Sequence, residues 1–143
     1  MAEHLLKSVP GNVKWAIAGR SLSKLEAVRQ RLHQIRDVDV DMIIADAFDT
    51  SLDDLVKRTR VVVSTVGPFD LYGETLVRKC IEHGTNYVDS TGETLFVRRM
   101  AKKYHEQAKE KGVFIVTCGG FDCVPSDLGM YMYVSPLRMG GDV

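Results

Sequence analysis

Arg20, Ser21 and Lys24 place a guanidinium, a hydroxyl and an ammonium within five residues, directly after the short apolar run at residues 14–18. That set suits a phosphate: arginine offers parallel donors, serine adds one more, and lysine supplies a point charge. Charge-assisted hydrogen bonds of this kind are worth about 1.5 to 3 kcal/mol each. In a dinucleotide-binding fold the end of the second strand reads the adenosine ribose, with an acid for a free 2′-hydroxyl or an arginine for a 2′-phosphate. The position here is Arg20, so the expected cofactor is NADP(H) in preference to NAD(H). A solvated basic turn, with Ser21 or Ser23 as a helix N-cap, explains the same residues and stays open.

Other turns carry groups of similar promise. Asp46 follows the next apolar run; it is read first as a turn cap and second as an adenine contact. Val66-Gly67-Pro68-Phe69 follows a β-branched run, where glycine allows close backbone approach to a ligand and proline stiffens the turn. A plain turn is the simpler reading of that segment. Thr91-Gly92-Glu93 and Gly119-Gly120-Phe121-Asp122 either face the nicotinamide half of a cofactor or a substrate, or are loop chemistry alone. Arg98, Arg99, Lys102 and Lys103 fall opposite an apolar stripe and read as a solvated face rather than an anion patch. The four histidines share no metal-ligand spacing, and no Ser/His/Asp or Cys/His arrangement is visible, so neither a metal site nor a catalytic residue is assigned. Cys118 and Cys123 read as buried or loop thiols, and Met130-Tyr131-Met132-Tyr133-Val134 as core or interface rather than a membrane anchor.

These groups need a scaffold of alternating strands and helices. Strands are predicted at residues 14–18, 40–45, 61–63, 86–89 and 113–117, and an opening helix at residues 2–8. Leu25, Val28, Leu32 and Ile35 share a helical face, as do Leu76, Val77, Cys80 and Ile81. Thr50-Ser51 with Asp53-Asp54 opens a helix through Leu52, Leu55 and Val56. Residues 94–111 form a long helix with Val97, Met100, Ala101, Tyr104 and Ala108 on one stripe. Gly84 and Gly112 end two of the helices, and Ser126 or Pro125 starts the last one. Such alternation implies crossovers and a parallel sheet: an α/β, Rossmann-like, doubly wound fold. In such a fold every turn named above gathers along the carboxyl edge of the sheet, where open α/β sheets bind ligands.

The chain has 143 residues, 45% hydrophobic and 27% charged, which suits one α/β domain with a real core. Lys plus Arg and Asp plus Glu number 19 each, so no global field draws it to nucleic acid or acidic lipid. Three cysteines without metal spacing fit a reducing compartment, and residues 1–13 show no targeting signal, so a cytoplasmic location is the default.

Four motifs in order carry a family likeness: Trp15-Ala16-Ile17-Ala18-Gly19-Arg20-Ser21; Thr65-Val66-Gly67-Pro68-Phe69 with Tyr72-Gly73-Glu74; Tyr87-Val88-Asp89-Ser90-Thr91-Gly92-Glu93; and Gly120-Phe121-Asp122-Cys123-Val124-Pro125-Ser126-Asp127. Together they resemble the saccharopine dehydrogenase-like oxidoreductases, in the branch that contains trans-acting enoyl reductases. The likeness runs over residues 2–129. It implies an NADP(H)-binding Rossmann domain with Arg20, Ser21 and Lys24 at the adenosine end and Asp46 near it. It further implies that Val66, Gly67, Pro68, Phe69, Gly92 and Gly120 line the cofactor. The implied chemistry is hydride transfer to or from a C=N, C=O or C=C bond, and some members of the group associate with lipid droplets or mitochondria.

The family pattern opens with a strand and a Gly-x-x-Gly-x-x-Gly turn, whereas this sequence opens inside the following helix. The family also continues past the position of Val143 into a substrate and dimerisation domain, and residues 130–143 would start that connection. The expectation is a partial NADP-binding domain over residues 1–143, truncated at both ends, whose standing as an enzyme by itself stays open. Without the central first strand, the strands at 14–18 and 60–65 must pair directly, accept a strand from a second or complementing chain, or leave edges exposed. A non-catalytic Rossmann module that binds a partner or a lipid-droplet surface, and a truncated product without activity, are the alternative readings.

Overall fold

The computed structural model describes residues 1–48 and 51–139, the last four by backbone alone. It contains six helices and five strands: α1 (Ala2–Ser8), β1 (Ala16–Gly19), α2 (Leu22–Ile35), β2 (Asp41–Ile44), α3 (Ser51–Lys57), β3 (Val61–Ser64), α4 (Phe69–His83), β4 (Asn86–Asp89), α5 (Thr94–Lys111), β5 (Ile115–Val116) and α6 (Val124–Met139). Thr50, expected to share the capping of α3, lies outside the described residues. All strand pairs are parallel, so the α/β, Rossmann-like expectation holds. Two compact units divide within α3, after Leu55.

In the first unit β1 pairs with β2, in the register Ala16↔Asp41 to Gly19↔Ile44. Leu6, Leu32 and Val40 are its buried centre, with Ala2, Trp15, Ile17, Val28 and Val38 packed on them. Leu25 and Leu32, seven residues apart, are the buried face of α2. β1 starts two residues later than the apolar run suggests and ends on Gly19 rather than Ala18. The parallel ladder with Asp41–Ile44 sets those bounds, not hydrophobicity.

In the second unit the strand order is β3-β4-β5. Val77, Cys80, Ile81, Tyr87, Phe96, Met100, Tyr104 and Val113 are its buried core. The Phe69 and Phe96 rings lie 6.1 Å apart between α4 and α5, a tilted aromatic contact. Gly84 and Gly112 end α4 and α5 in left-handed conformations, at φ 74° and 66°, as their positions suggest. The buried stripe of α5 is Phe96, Met100, Tyr104 and Ala108. Ala101, expected on that stripe, is exposed beside it and lines a shallow apolar groove with Val97 and Phe114.

β1 has its ladder with β2 and β3 has its ladder with β4. The direct β1–β3 pairing offered by the sequence is absent from the ladders of the described residues. Val61 and Val63 on β3 are about half exposed, unlike the residues of a strand covered on both faces.

Candidate cofactor site

In the first unit two turns leave adjacent strand ends. The Ala45 N–H donates to the Gly19 carbonyl at 3.1 Å, which continues the β1–β2 ladder one step and sets the Arg20-Ser21 turn beside the Ala45-Asp46 turn. Arg20 and Lys24 are exposed. Ser21 occupies the N-cap position of α2, but its hydroxyl lies 3.2 Å from that of Ser23 and makes no cap bond. The hydroxyl partnership therefore stays local, and the basic groups face solvent. Asp46 shows the turn chemistry expected of it. Its Oδ1 accepts from the Phe48 N–H at 3.1 Å, and its own N–H donates to Ser51 Oγ at 2.9 Å.

In the second unit three turns leave one sheet edge. Ser64 and Asp89 are register partners at the ends of β3 and β4, and Val116 pairs with Val88 at the end of β5. Val66, Gly67 and Pro68 are exposed, with the Gly67–Pro68 peptide in the cis form, while Phe69 turns inward and is buried as the first residue of α4. A Cβ at Gly67 would meet only Phe69, its ring at 3.7 Å and its backbone nitrogen at 3.9 Å, both ordinary contacts, so nothing in the chain itself crowds that backbone. Gly92 is equally uncrowded.

Gly120 is different, because a Cβ there would sit 2.9 Å from Ser90 Cβ; at Gly119 it would sit 3.0 Å from the Asp89 carbonyl. These glycines let the turn after β5 press against the end of β4. Packing alone thus accounts for Gly120, whatever it also does for a ligand.

Two acids organise this edge, and neither role was legible in advance. Asp89 is 1% exposed and gathers three donors: the Tyr87 hydroxyl on Oδ2 at 2.8 Å, and on Oδ1 the N–H of Thr91 at 3.0 Å and of Cys118 at 3.1 Å. Burial, then the adjacent carboxylate, push the Tyr87 hydroxyl well above its ordinary range and keep it a donor. The alternation Tyr87, Asp89, Thr91 puts all three on one side of β4 and its extension, and that spacing is the signal a reader of the sequence could use.

The second acid is Glu93, read from the sequence as a candidate for the nicotinamide or substrate side. Its carboxylate instead caps α4, accepting from the N–H of Phe69 at 2.7 Å and of Asp70 at 2.8 Å. The turn of Gly92 is thereby tied to the turn of Gly67 and Pro68.

The basic cluster on α5 is a largely exposed face: Arg98, Lys102 and Lys103 are exposed and Arg99 is half-buried. Arg99 donates to Asp70 Oδ1 at 2.6 Å and to the Asp70 carbonyl at 3.1 Å, and Lys103 pairs with Glu74. The acids of α4, 29 residues away, thus give two of the four bases partners on that face. Ser126 does not cap α6: it lies inside the helix and its hydroxyl donates to the Asp122 carbonyl at 3.5 Å. Pro125 stands in the first turn, where a missing N–H is tolerated. Met130, Tyr131, Met132 and Tyr133 are exposed on α6, against the expectation of core, and remain available as an interface.

Parallel ladders joined by helical crossovers, with the turns gathered at strand ends, define a Rossmann-like fold. Residues 1–116 match the saccharopine dehydrogenase NADP binding domain, and the chain belongs to that family. It is 40% identical over 134 residues to the saccharopine dehydrogenase-like oxidoreductase of Mus musculus, a match covering 90% of this chain and 31% of the relative. It is 41% identical over 121 residues to a trans-acting enoyl reductase of Mycobacterium ulcerans, covering 84% of this chain and 29% of that one. A Caenorhabditis elegans relative named lipid droplet localized protein is 40% identical over 122 residues, covering 82% and 29% respectively. Among solved structures, the apo histidine-tagged saccharopine dehydrogenase (L-Glu forming) of Saccharomyces cerevisiae superposes with a TM-score of 0.79 at 17% identity. That match covers 98% of this chain and 29% of the yeast chain, and shows the fold. The chain spans about a third of the length of the curated relatives it matches.

Proposed function

We propose that these residues bind NADP(H) in preference to NAD(H), as the nucleotide-binding part of an oxidoreductase that works by hydride transfer. The observation that carries the reading is Arg20: an exposed arginine follows Gly19 where an acid would read a free ribose hydroxyl, with exposed Lys24 one helical turn on. Arg20, Ser21 and Lys24 hold the 2′-phosphate, and the turn of Asp46 meets the adenine. Val66, Gly67, Pro68 and Phe69, with Gly92 and Gly120, line the cofactor. Of these, Phe69 acts through its packing, because it is buried.

The bound nicotinamide supplies the hydride chemistry. These residues supply orientation and a phosphate-binding charge. The Gly-x-x-Gly-x-x-Gly turn does not occur within the 143 residues, so the pyrophosphate donors of that turn are not among the groups assigned here. β3 ends the β3-β4-β5 order, and that edge is where a further parallel strand, from the same protein or from a complementing copy, would pair.

The chain's lone tryptophan, Trp15, packs beside β1 and reports on the site. NADPH should quench its fluorescence more strongly than NADH, and Arg20→Asp should reverse that order. Equal responses, or none to either nucleotide, contradict the reading.

A second reading has its own observation. The Met130-to-Tyr133 segment of α6 is exposed, and one relative is named for lipid droplets. No helix among the described residues is long and apolar enough to cross a membrane, and in this reading the exposed segment of α6 meets the droplet surface from the cytoplasmic side. Co-flotation of the protein with lipid droplets, lost in Met130→Ser/Met132→Ser, supports this; sedimentation away from them contradicts it.

A further inference from the structure

We infer that Cys118 and Cys123 form a dithiol pair that closes reversibly into an intramolecular disulfide on the turn after β5. Both cysteines are fastened to the same few residues at the end of β4. The Cys118 N–H donates to Asp89 Oδ1 at 3.1 Å, and the neighbouring Gly119 N–H donates to the Asp89 carbonyl at 2.7 Å. The Cys123 thiol donates to the Thr91 carbonyl at 3.9 Å. Between them the chain doubles back, with the Cys123 N–H on the Gly120 carbonyl at 3.2 Å. Two glycines without room for a Cβ keep this turn tight.

The backbone at Cys118 is unusual as well. Its φ of 61° is the one positive value at a non-glycine residue among the described positions, and the structure around Asp89 holds it there. Burial, and after it the neighbouring Cys123, push the Cys118 thiol up. Both residues are partly exposed, so a small oxidant reaches them, whereas Cys80 is sealed at 0% exposure on α4. The loop between them is short, so closing it removes little chain entropy.

With hydrogen peroxide the chemistry balances in two displacements. One thiolate attacks a peroxide oxygen; an S–O bond forms, the O–O bond breaks, and the departing hydroxide takes a proton to become water. The second thiolate then attacks the sulfenic sulfur; the S–S bond forms, the S–O bond breaks, and a second water leaves. Two thiol protons and two electrons have passed to one peroxide.

The test is carried out on the full-length protein. After peroxide treatment it is unfolded, alkylated with iodoacetamide and digested with trypsin. Lys111 and Arg138 bound a single tryptic peptide, residues 112–138, that contains both cysteines. The expected result is that this peptide becomes two hydrogen masses lighter and loses both alkylation sites. Dithiothreitol should restore both, and Cys80 should stay alkylated throughout. A peptide that remains doubly alkylated, separate sulfinic acids on the two cysteines, or a crosslink to any other cysteine would overturn the assignment. None of these readouts depends on nucleotide binding.

Discussion

Glu93 holds the start of α4 from 24 residues away, its carboxylate accepting from the backbone N–H of Phe69 at 2.7 Å and of Asp70 at 2.8 Å. These are two of the donors that a helix leaves without partners in its first turn. The bond couples the turn after β4 to the turn after β3, so two stretches of the candidate site share one geometry. Glu93→Ala should destabilise the fold by about 1 to 2 kcal/mol, the usual cost of a lost cap. Denaturant unfolding of the two proteins checks this, and Glu93→Gln should recover part of the loss.

The seam between α4 and α5 sets a pH window. Hydrogen bonding from Lys103 holds the Glu74 carboxyl below its ordinary 4.5, and the same bond raises Lys103 above 10.5. A depressed carboxylate stabilises the fold above its unfolded value and loses that effect as pH falls through the folded one. A raised lysine stabilises below its unfolded value and loses that effect as pH rises through the folded one. Glu74→Gln should therefore melt lower than the parent at neutral pH. The gap should narrow below pH 4.5 and again above pH 10.5.

Gly73 packs directly under Phe96. A Cβ there would come within 2.6 Å of the ring, which is fully buried. Gly73→Ala should thus cost about 1 to 3 kcal/mol through overpacking, although alanine favours helix at an exposed site. Thermal or denaturant unfolding reads the sign directly: a stabilised Gly73→Ala would show that the ring moves freely.

Asp89→Asn keeps the shape of the side chain but replaces one acceptor oxygen with a donor. At least one of the Tyr87, Thr91 and Cys118 donors then loses its partner in a buried setting, at a cost of about 1 to 3 kcal/mol. Amide hydrogen exchange at Thr91 and Cys118 should accelerate in the variant, while exchange in β1 and β2 stays as in the parent.

What the sequence made legible is the local part. The β-branched run at Val61–Val63, the apolar period of α2 and the glycines ending α4 and α5 are set by neighbours a few residues away. What escaped it depends on distant partners. The partnership of Arg99 with Asp70 needs α4 beside α5, and the choice between ligand group and loop chemistry at Glu93 stays open in the sequence because α4, which takes its carboxylate, is 24 residues away. β5 is another case: four apolar residues followed by Thr117 suggest a longer strand, yet the ladder stops at Val116, and Asp89 takes the Cys118 N–H on its side chain. In the candidate site, the position and exposure of Arg20 were readable, whereas the packing duty of Gly120 was not.

Arg20 leads the cofactor preference, with Ser21 and Lys24 beside it, and the most direct measurement is the ratio of dissociation constants for NADH and NADPH, by calorimetry on the full-length protein. A single charge-assisted hydrogen bond from Arg20 to the 2′-phosphate makes NADPH tighter by about tenfold to a hundredfold. Arg20→Ala should lower the ratio by that factor, leaving only what Ser21 and Lys24 contribute, while NADH affinity stays unchanged. A parent protein that binds the two nucleotides equally, or an Arg20→Ala variant that keeps the full preference, would contradict the assignment.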